Sequence, residues 1–186
     1  MSTIVIAPGP VLSEISSSYV FQKNDKFLSA FLKEMEEALL SAHDPKGVGL
    51  AAPQIGKTLS IFIAKPTEKS KISVFINPKI IELEQKKLSG AKSASGGRIK
   101  KLEGCLSLPN IWGEVKRSPS VTLNYFDRKG IQKTKKFTGF MATIIQHEVD
   151  HLQGILFPRR VLEQKGKLYK STKNKKGEDE FEEISI

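Results

Sequence analysis

Residues 146–152 read Gln-His-Glu-Val-Asp-His-Leu, with His147 and His151 four positions apart. On a helix a four-residue step advances roughly 400°, so both imidazoles leave one face about a turn apart. One metal ion can bridge them. Glu148 sits beside the first histidine, where a carboxylate can act as base toward a metal-bound water. Met141, Ile145, Val149 and Leu152 give this stretch an apolar stripe, and Gly154 reads as its C-terminal stop. The bland alternative is a helix with two incidental polar histidines. The chain has 3 histidines in all, which weighs against that alternative.

Two histidines do not complete a catalytic metal site, which ordinarily takes three protein ligands and leaves one position for water. His43, at the end of another predicted helix, is better read as a cation facing that helix's C-terminus. Glu163 is a carboxylate at a suitable distance downstream, but its surroundings carry little helix signal. Cys105 stands in Glu-Gly-Cys-Leu-Ser at 103–107, where Gly104 permits a sharp backbone turn. A thiolate is a strong ligand, and coordination removes its proton. From spacing alone the thiol is equally well read as a small buried hydrophobe. A third segment, Gly-Val-Gly-Leu-Ala-Ala-Pro-Gln at 47–54, offers close backbone approach at its glycines and an amide donor at Gln54. Taken alone it is only a Gly/Ala turn.

The elements that must hold these residues follow from periodicity. Residues 24–43 form an amphipathic helix, with Leu28, Phe31, Leu32, Met35, Leu39 and Leu40 at three- and four-residue spacing. Asp44 and Pro45 end it. Residues 59–64, 74–77 and 79–84 read as strands, with Pro78 breaking the last two apart. Residues 89–97 are small and Gly/Ser/Ala-rich and read as a mobile loop. Residues 111–116, 121–126 and 132–137 read as a β-meander, with a tight turn at 127–130. The tail of residues 164–186 is highly charged and reads either as a weak hairpin or as a disordered extension. The expected fold is α+β: antiparallel sheets packed around a central metal-binding helix, a second long helix near the N-terminus, and one catalytic domain over residues 1–163.

Composition bounds the rest. A length of 186 residues, 39% hydrophobic and 27% charged, suits one globular domain. No apolar run approaches the roughly 20 residues that span a bilayer. Residues 1–10 lack the pattern of a secretory signal, and the single cysteine cannot form an internal disulfide. A reducing cytoplasmic setting is expected, with an organellar one left open. The formal net charge of +10 fits either attraction to nucleic acid or a ribosomal surface, or a plain solubility choice. The lysines lack interleaved aromatics and no nucleic-acid motif accompanies them, which favours solubility.

Taken together, the segments at 47–54, 103–107 and 146–151 resemble the peptide deformylase family. It carries Gly-x-Gly-Leu-Ala-Ala-x-Gln, Glu-Gly-Cys-Leu-Ser and Gln-His-Glu-x-Asp-His in this order. The resemblance implies that Cys105, His147 and His151 hold one divalent metal, Fe2+ in cells, with Zn2+, Ni2+ or Co2+ as alternatives. It implies N-formyl-methionyl nascent peptides as substrate and formate as product. Metal-bound hydroxide would attack the formyl carbon, with Glu148 as general base and then acid. The Gln54 amide and the Leu106 backbone N–H would stabilise the oxyanion. The substrate backbone would pair with Gly47, Val48 and Gly49 as an added strand. Val48, Phe140, Thr143 and Ile144 are candidates for the methionine pocket, with core packing as the bland alternative. Glu103, Arg117 and Asp150 could orient the cysteine loop and the helix. Trp112 reads either as a cleft residue or as a core aromatic. The connection at 85–101 has no assigned role. The tail lacks a long amphipathic helix for ribosome docking, and the net charge leaves a transient ribosome contact open. No specific nucleic acid and no membrane are expected as partners. Three readings compete: a zinc endopeptidase that does not need Cys105, a deformylase for a different acyl substrate, and a basic RNA-binding protein without metal.

Overall fold

The computed structural model describes residues 3–43, 46–84, 102–174 and 177–185. The first long helix, α1, spans Lys26–Ser41. Asp25 caps it, accepting a hydrogen bond from the Leu28 backbone N–H at 2.9 Å. Its apolar stripe buries Leu28, Phe31, Leu32, Met35, Ala38 and Leu39. The predicted stop at Asp44 and Pro45 lies outside the described residues, as does the loop expected at 89–97.

Nine strands form two antiparallel sheets among the described residues. They are β1 (Gly49–Ala51), β2 (Ile61–Ala64), β3 (Ser73–Leu83), β4 (Glu103–Cys105), β5 (Leu108–Gly113), β6 (Ser120–Phe126), β7 (Gln132–Thr138), β8 (Leu168–Lys173) and β9 (Asp179–Ile184). One sheet has the order β1-β2-β3-β6-β7, the other β4-β5-β8-β9. Between β7 and β8 lie α2 (Gly139–Leu152) and α3 (Phe157–Glu163). The fold is α+β, as expected.

The histidine-bearing helix α2 packs across the first sheet. Ala142, Ile144, Ile145, Val149 and Leu152 share one cluster with Phe62, Phe75, Val121 and Leu123. Each fully buried Ile, Leu or Phe stabilises the fold by roughly 1.5–3 kcal/mol, so this face fixes the helix on the sheet. Helix α1 packs with β1–β3 residues in a second cluster, and α3 closes a third containing Cys105, Phe157, Val161 and Leu168. The chain stops α2 as the sequence suggests: Gly154 takes φ +68° and its N–H bonds the His151 carbonyl at 3.1 Å.

Two expectations are corrected, and one helix is unforeseen. Pro78 does not split β3; the strand runs through it, with a register shift between Ile76 and Lys79. Asn77 takes φ +50° there, and its side-chain amide pairs with both backbone groups of Tyr19. The missing proline donor therefore falls at a bulge. The meander also fails at its first strand. Residues 120–126 and 132–138 do form a hairpin, closed by the 127–130 turn. But β5 pairs with β4 and β8 in the other sheet. Helix α3 has no counterpart in the sequence reading. Of the two readings of the tail, the hairpin is the one present: β9 pairs with β8, and β8 adds it to the second sheet beside β5.

Candidate metal centre

Cys105 ends β4, while His147 and His151 leave one face of α2. The structure brings the three ligand atoms within 4.8 Å of one another. Cys105 Sγ lies 3.2 Å from His151 Nε2, and the two Nε2 atoms are 3.2 Å apart. His43 and Glu163 do not join them. Glu163 instead forms ion pairs with Arg159 and Arg160.

Each ligand is held from behind. Glu103 Oε1 accepts a hydrogen bond from His147 Nδ1 at 2.6 Å, which turns the Nε2 lone pair inward. Arg117 clamps both oxygens of Glu103, at 3.0 and 2.7 Å. Its third nitrogen donates to Asp150 at 2.6 Å, and Arg160 donates to the same carboxylate. The expected grouping of Glu103, Arg117 and Asp150 is therefore real. Arg160 is its unforeseen fourth member, contributed by α3. Burial alone would raise the Glu103 pKa, but hydrogen bonds from His147 and Arg117 override it and carry it down to about 2.

Gln54 is buried and locked. Its Oε1 accepts from the Ala51 N–H at 2.8 Å, so Nε2 must face the centre. There Nε2 lies 3.6 Å from Cys105 Sγ and donates to Ser107 Oγ at 3.2 Å. Ser107, missed in the sequence reading, also directs its backbone N–H at Cys105 Sγ, 3.4 Å away. Leu106 occupies the turn between β4 and β5, its side chain packed against the α1 cluster.

Glu148 is 3% exposed, and its Oε2 has no hydrogen-bond partner in the protein. Burial pushes its pKa up to about 7. Gly49 makes room for it: a Cβ there would stand 2.8 Å from the Glu148 carboxyl carbon and 2.9 Å from Ile144 Cγ2. Strand β1 is the edge of its sheet. The Val48 carbonyl accepts from the Lys65 N–H at 2.7 Å. Antiparallel pairing alternates, so Gly49 turns its own N–H and C=O away from β2, to the open side. The Gly47 N–H bonds the Ala42 carbonyl at 3.3 Å. Ile144 is buried in the α2 cluster, Val48 packs on it, Thr143 is half-buried, and Phe140 is exposed. Trp112 lies on the face of β5 turned away from Cys105, with its indole N–H on Ser171 Oγ at 3.0 Å.

The donor set fits a divalent ion. With bonds of about 2.0–2.3 Å, the edges of a tetrahedral N/N/S site span about 3.4–3.6 Å, close to the spacings here. Protein groups alone satisfy the cluster poorly. Burial opposes charge on His147, yet hydrogen bonds to Cys105 and Glu103 hold its pKa well above the ordinary value. Burial and that neighbour then push His151 well below it. The remaining nitrogen of His151, Nδ1, is buried without a partner. A divalent ion held by Cys105, His147 and His151 would take the place of this sharing of protons.

The comparisons with known proteins agree with this geometry. A model of the polypeptide deformylase family matches residues 1–167. The peptide deformylase of Brucella suis is 36% identical over 157 residues, covering 83% of this chain and 81% of that protein. Among solved structures, peptide deformylase from Thermotoga maritima superposes with a TM-score of 0.69 at 30% identity, over 86% of this chain and 97% of that one. The peptide deformylase of Synechococcus elongatus, solved in complex with actinonin, gives a TM-score of 0.69 at 30% identity, over 85% and 77%. A thiol and two imidazoles converging beside a buried carboxylate, inside this fold and with these relatives, lead to one conclusion: the chain is a hydrolase and belongs to the polypeptide deformylase family.

Proposed function

We propose that the protein removes the formyl group from N-formyl-methionyl peptides, releasing formate and a free amino terminus. The observation that carries this reading is the convergence of Cys105, His147 and His151 beside the partnerless carboxylate of Glu148. Those three residues would hold one divalent ion, which supplies Lewis acidity toward a water and toward the formyl oxygen. We assign Fe2+ in cells; a thiolate with two imidazoles also accommodates Zn2+, Ni2+ and Co2+.

The chain's own residues then divide the work. Glu148 takes the proton from the attacking water and later delivers it to the departing amine; its burial, which favours the protonated form, suits it to hold the proton between the two tasks. Gln54 offers its amide N–H and Leu106 its backbone N–H to the oxygen that gains charge. The locked Ala51–Gln54 bond supports this, because it prevents the amide from presenting its oxygen instead. Gly49 pairs with the substrate backbone through its outward N–H and C=O, flanked by Gly47 and Val48. Thr143 and Ile144 flank the methionine side chain. Main-chain pairing reads no side chains beyond methionine, which suits an enzyme that meets every new protein. Such chains emerge from ribosomes, so we place the reaction in the cytoplasm, where the net charge of +10 favours transient contact with a ribosomal surface. Among the described residues, no helix is long and apolar enough to cross a membrane.

The deciding experiment is formate release from formyl-Met-Ala-Ser by protein purified without oxygen and assayed for bound metal. Formate from the formyl peptide, with no cleavage of its acetyl or unblocked counterparts, is the expected result. Metal-loaded protein that releases no formate overturns the proposal.

A further inference from the structure

We infer that Trp112, held in place by Ser171 and Phe181 of the β8–β9 hairpin, is a positioning residue for the strand that carries Cys105. The inference rests on reading Cys105, His147 and His151 as metal ligands. The family match ends at residue 167, so the hairpin lies beyond it.

Strand β4 is three residues long, an edge strand, and paired with β5 alone among the described residues. Its pairing is regular at Glu103 opposite Gly113 and Gly104 opposite Trp112, then shifts before Cys105 meets Leu108. The Gly104–Trp112 pair is thus the last regular point before the ligand. Successive side chains on a strand alternate between faces. Glu103 and Cys105 point toward α2 and α3; Gly104 faces the other way. There the six-membered ring of the indole packs directly against it: a Cβ at Gly104 would stand 2.8 Å from Trp112 Cζ3 and 2.9 Å from Cε3. The indole is fixed in turn by the β8–β9 hairpin. Its N–H donates to Ser171 Oγ at 3.0 Å, and Phe181 meets it edge-on, ring centres 5.8 Å apart at 86°. Ser171 and Phe181 are themselves direct partners across β8 and β9. A continuous stack therefore runs from the hairpin through the indole to the backbone before Cys105, on the side away from the ion.

The Glu103–Arg117 clamp holds β4 from the other face. Loss of the stack should therefore loosen the ligand rather than remove it. Metal affinity typically falls about 10–100-fold when a group touching a ligand is lost. One contact further out, about three- to tenfold is expected.

The test loads the full chain with Co2+ and reads two quantities: the thiolate-to-cobalt absorption band and the rate of cobalt release into excess chelator. Phe181→Ala and Ser171→Ala should each speed release about three- to tenfold and shift the band. Glu182→Ala, a neighbouring exposed position on β9, should match the unmodified protein. Ser171→Ala deletes one hydroxyl, so it remains informative if Phe181→Ala folds poorly. Unchanged release and an unchanged band in both variants overturn the inference, as does equal acceleration by Glu182→Ala. If the unmodified chain shows no thiolate band at all, the metal assignment itself fails, which separates the two outcomes.

Discussion

Gly49→Ala is the smallest change that tests the role proposed for the Glu148 carboxylate. The added methyl stands 2.8 Å from the carboxyl carbon of Glu148 and 2.9 Å from Ile144 Cγ2. Carbon contacts settle near 3.5–4.0 Å, so something must retreat by about 1 Å. Ile144 is 3% exposed and Leu50, the next residue on β1, is fully buried, so the strand and the helix resist. Glu148 is the group with an unsatisfied oxygen and the most to give. Overpacking of this kind costs about 1–3 kcal/mol. At roughly 2–4 °C per kcal/mol, Tm should fall by about 2–12 °C. A reacting group displaced by about 1 Å costs about 10²-fold, so kcat/KM should fall by that factor. Bound metal should persist, because the three atoms nearest the new methyl belong to Glu148 and Ile144 and not to a metal ligand. Removing the carboxylate with Glu148→Ala should relieve roughly half of the Tm penalty, since one of the two opposing groups is gone. Formate-release kinetics, metal content and thermal unfolding on the four proteins of this cycle supply the data. Full activity in Gly49→Ala, or a Tm penalty that Glu148→Ala leaves untouched, refutes the placement of the carboxylate against β1.

Glu148→Ala alone should keep its metal and lose about 10²–10⁴-fold in turnover; normal turnover defeats its role as base. Cys105→Ser should abolish the thiolate-to-cobalt band and most formate release, whereas a zinc endopeptidase that does not need Cys105 would keep its activity; assaying both separates these. Glu103, with its pKa near 2 when folded and 4.5 in its ordinary state, binds fewer protons folded than unfolded between those values. Its contribution is therefore present above pH 4.5 and lost as pH falls toward 2, amounting to about 3 kcal/mol. Denaturant titrations of the apo protein should show that loss and show it vanish in Glu103→Gln. The iron-loaded protein should lose activity in air and the cobalt- or nickel-loaded protein should not, measured as formate release after timed exposure.

The chemistry of the site was more legible in the sequence than the path of the chain. His147 and His151 declare their shared face through helix periodicity, which is local. The stripe Leu28–Phe31–Leu32–Met35 does the same for α1. Strand partners are not local. Alternation marks Ile111–Gly113 as extended but does not say which neighbour it pairs with, and the chain carries it to the second sheet through Glu114–Pro119, where Arg117 is drawn into the carboxylate cluster. Helix α3 is seven residues long with Pro158 in its first turn. Two buried positions, Phe157 and Val161, are too few to show a period. Arg160 was hidden with it, since its role depends on where α3 docks. Pro78 misled because its missing donor argues for a break, whereas the register shift beside Asn77 absorbs it.

The open side of β1 bounds how tightly a peptide can be held. At three residues, it turns both backbone groups of Gly49 outward, while the outward N–H of Ala51 is already taken by Gln54, so Gly49 would offer two hydrogen bonds to a visiting chain. At about 0.5–1.5 kcal/mol each, they lengthen the stay of a peptide by about 5- to 150-fold and no more. On the proposed function, a processed chain that has lost its formyl anchor would therefore depart quickly. Brevity at this edge trades grip for throughput, and it denies misfolded strands a long template on which to accumulate.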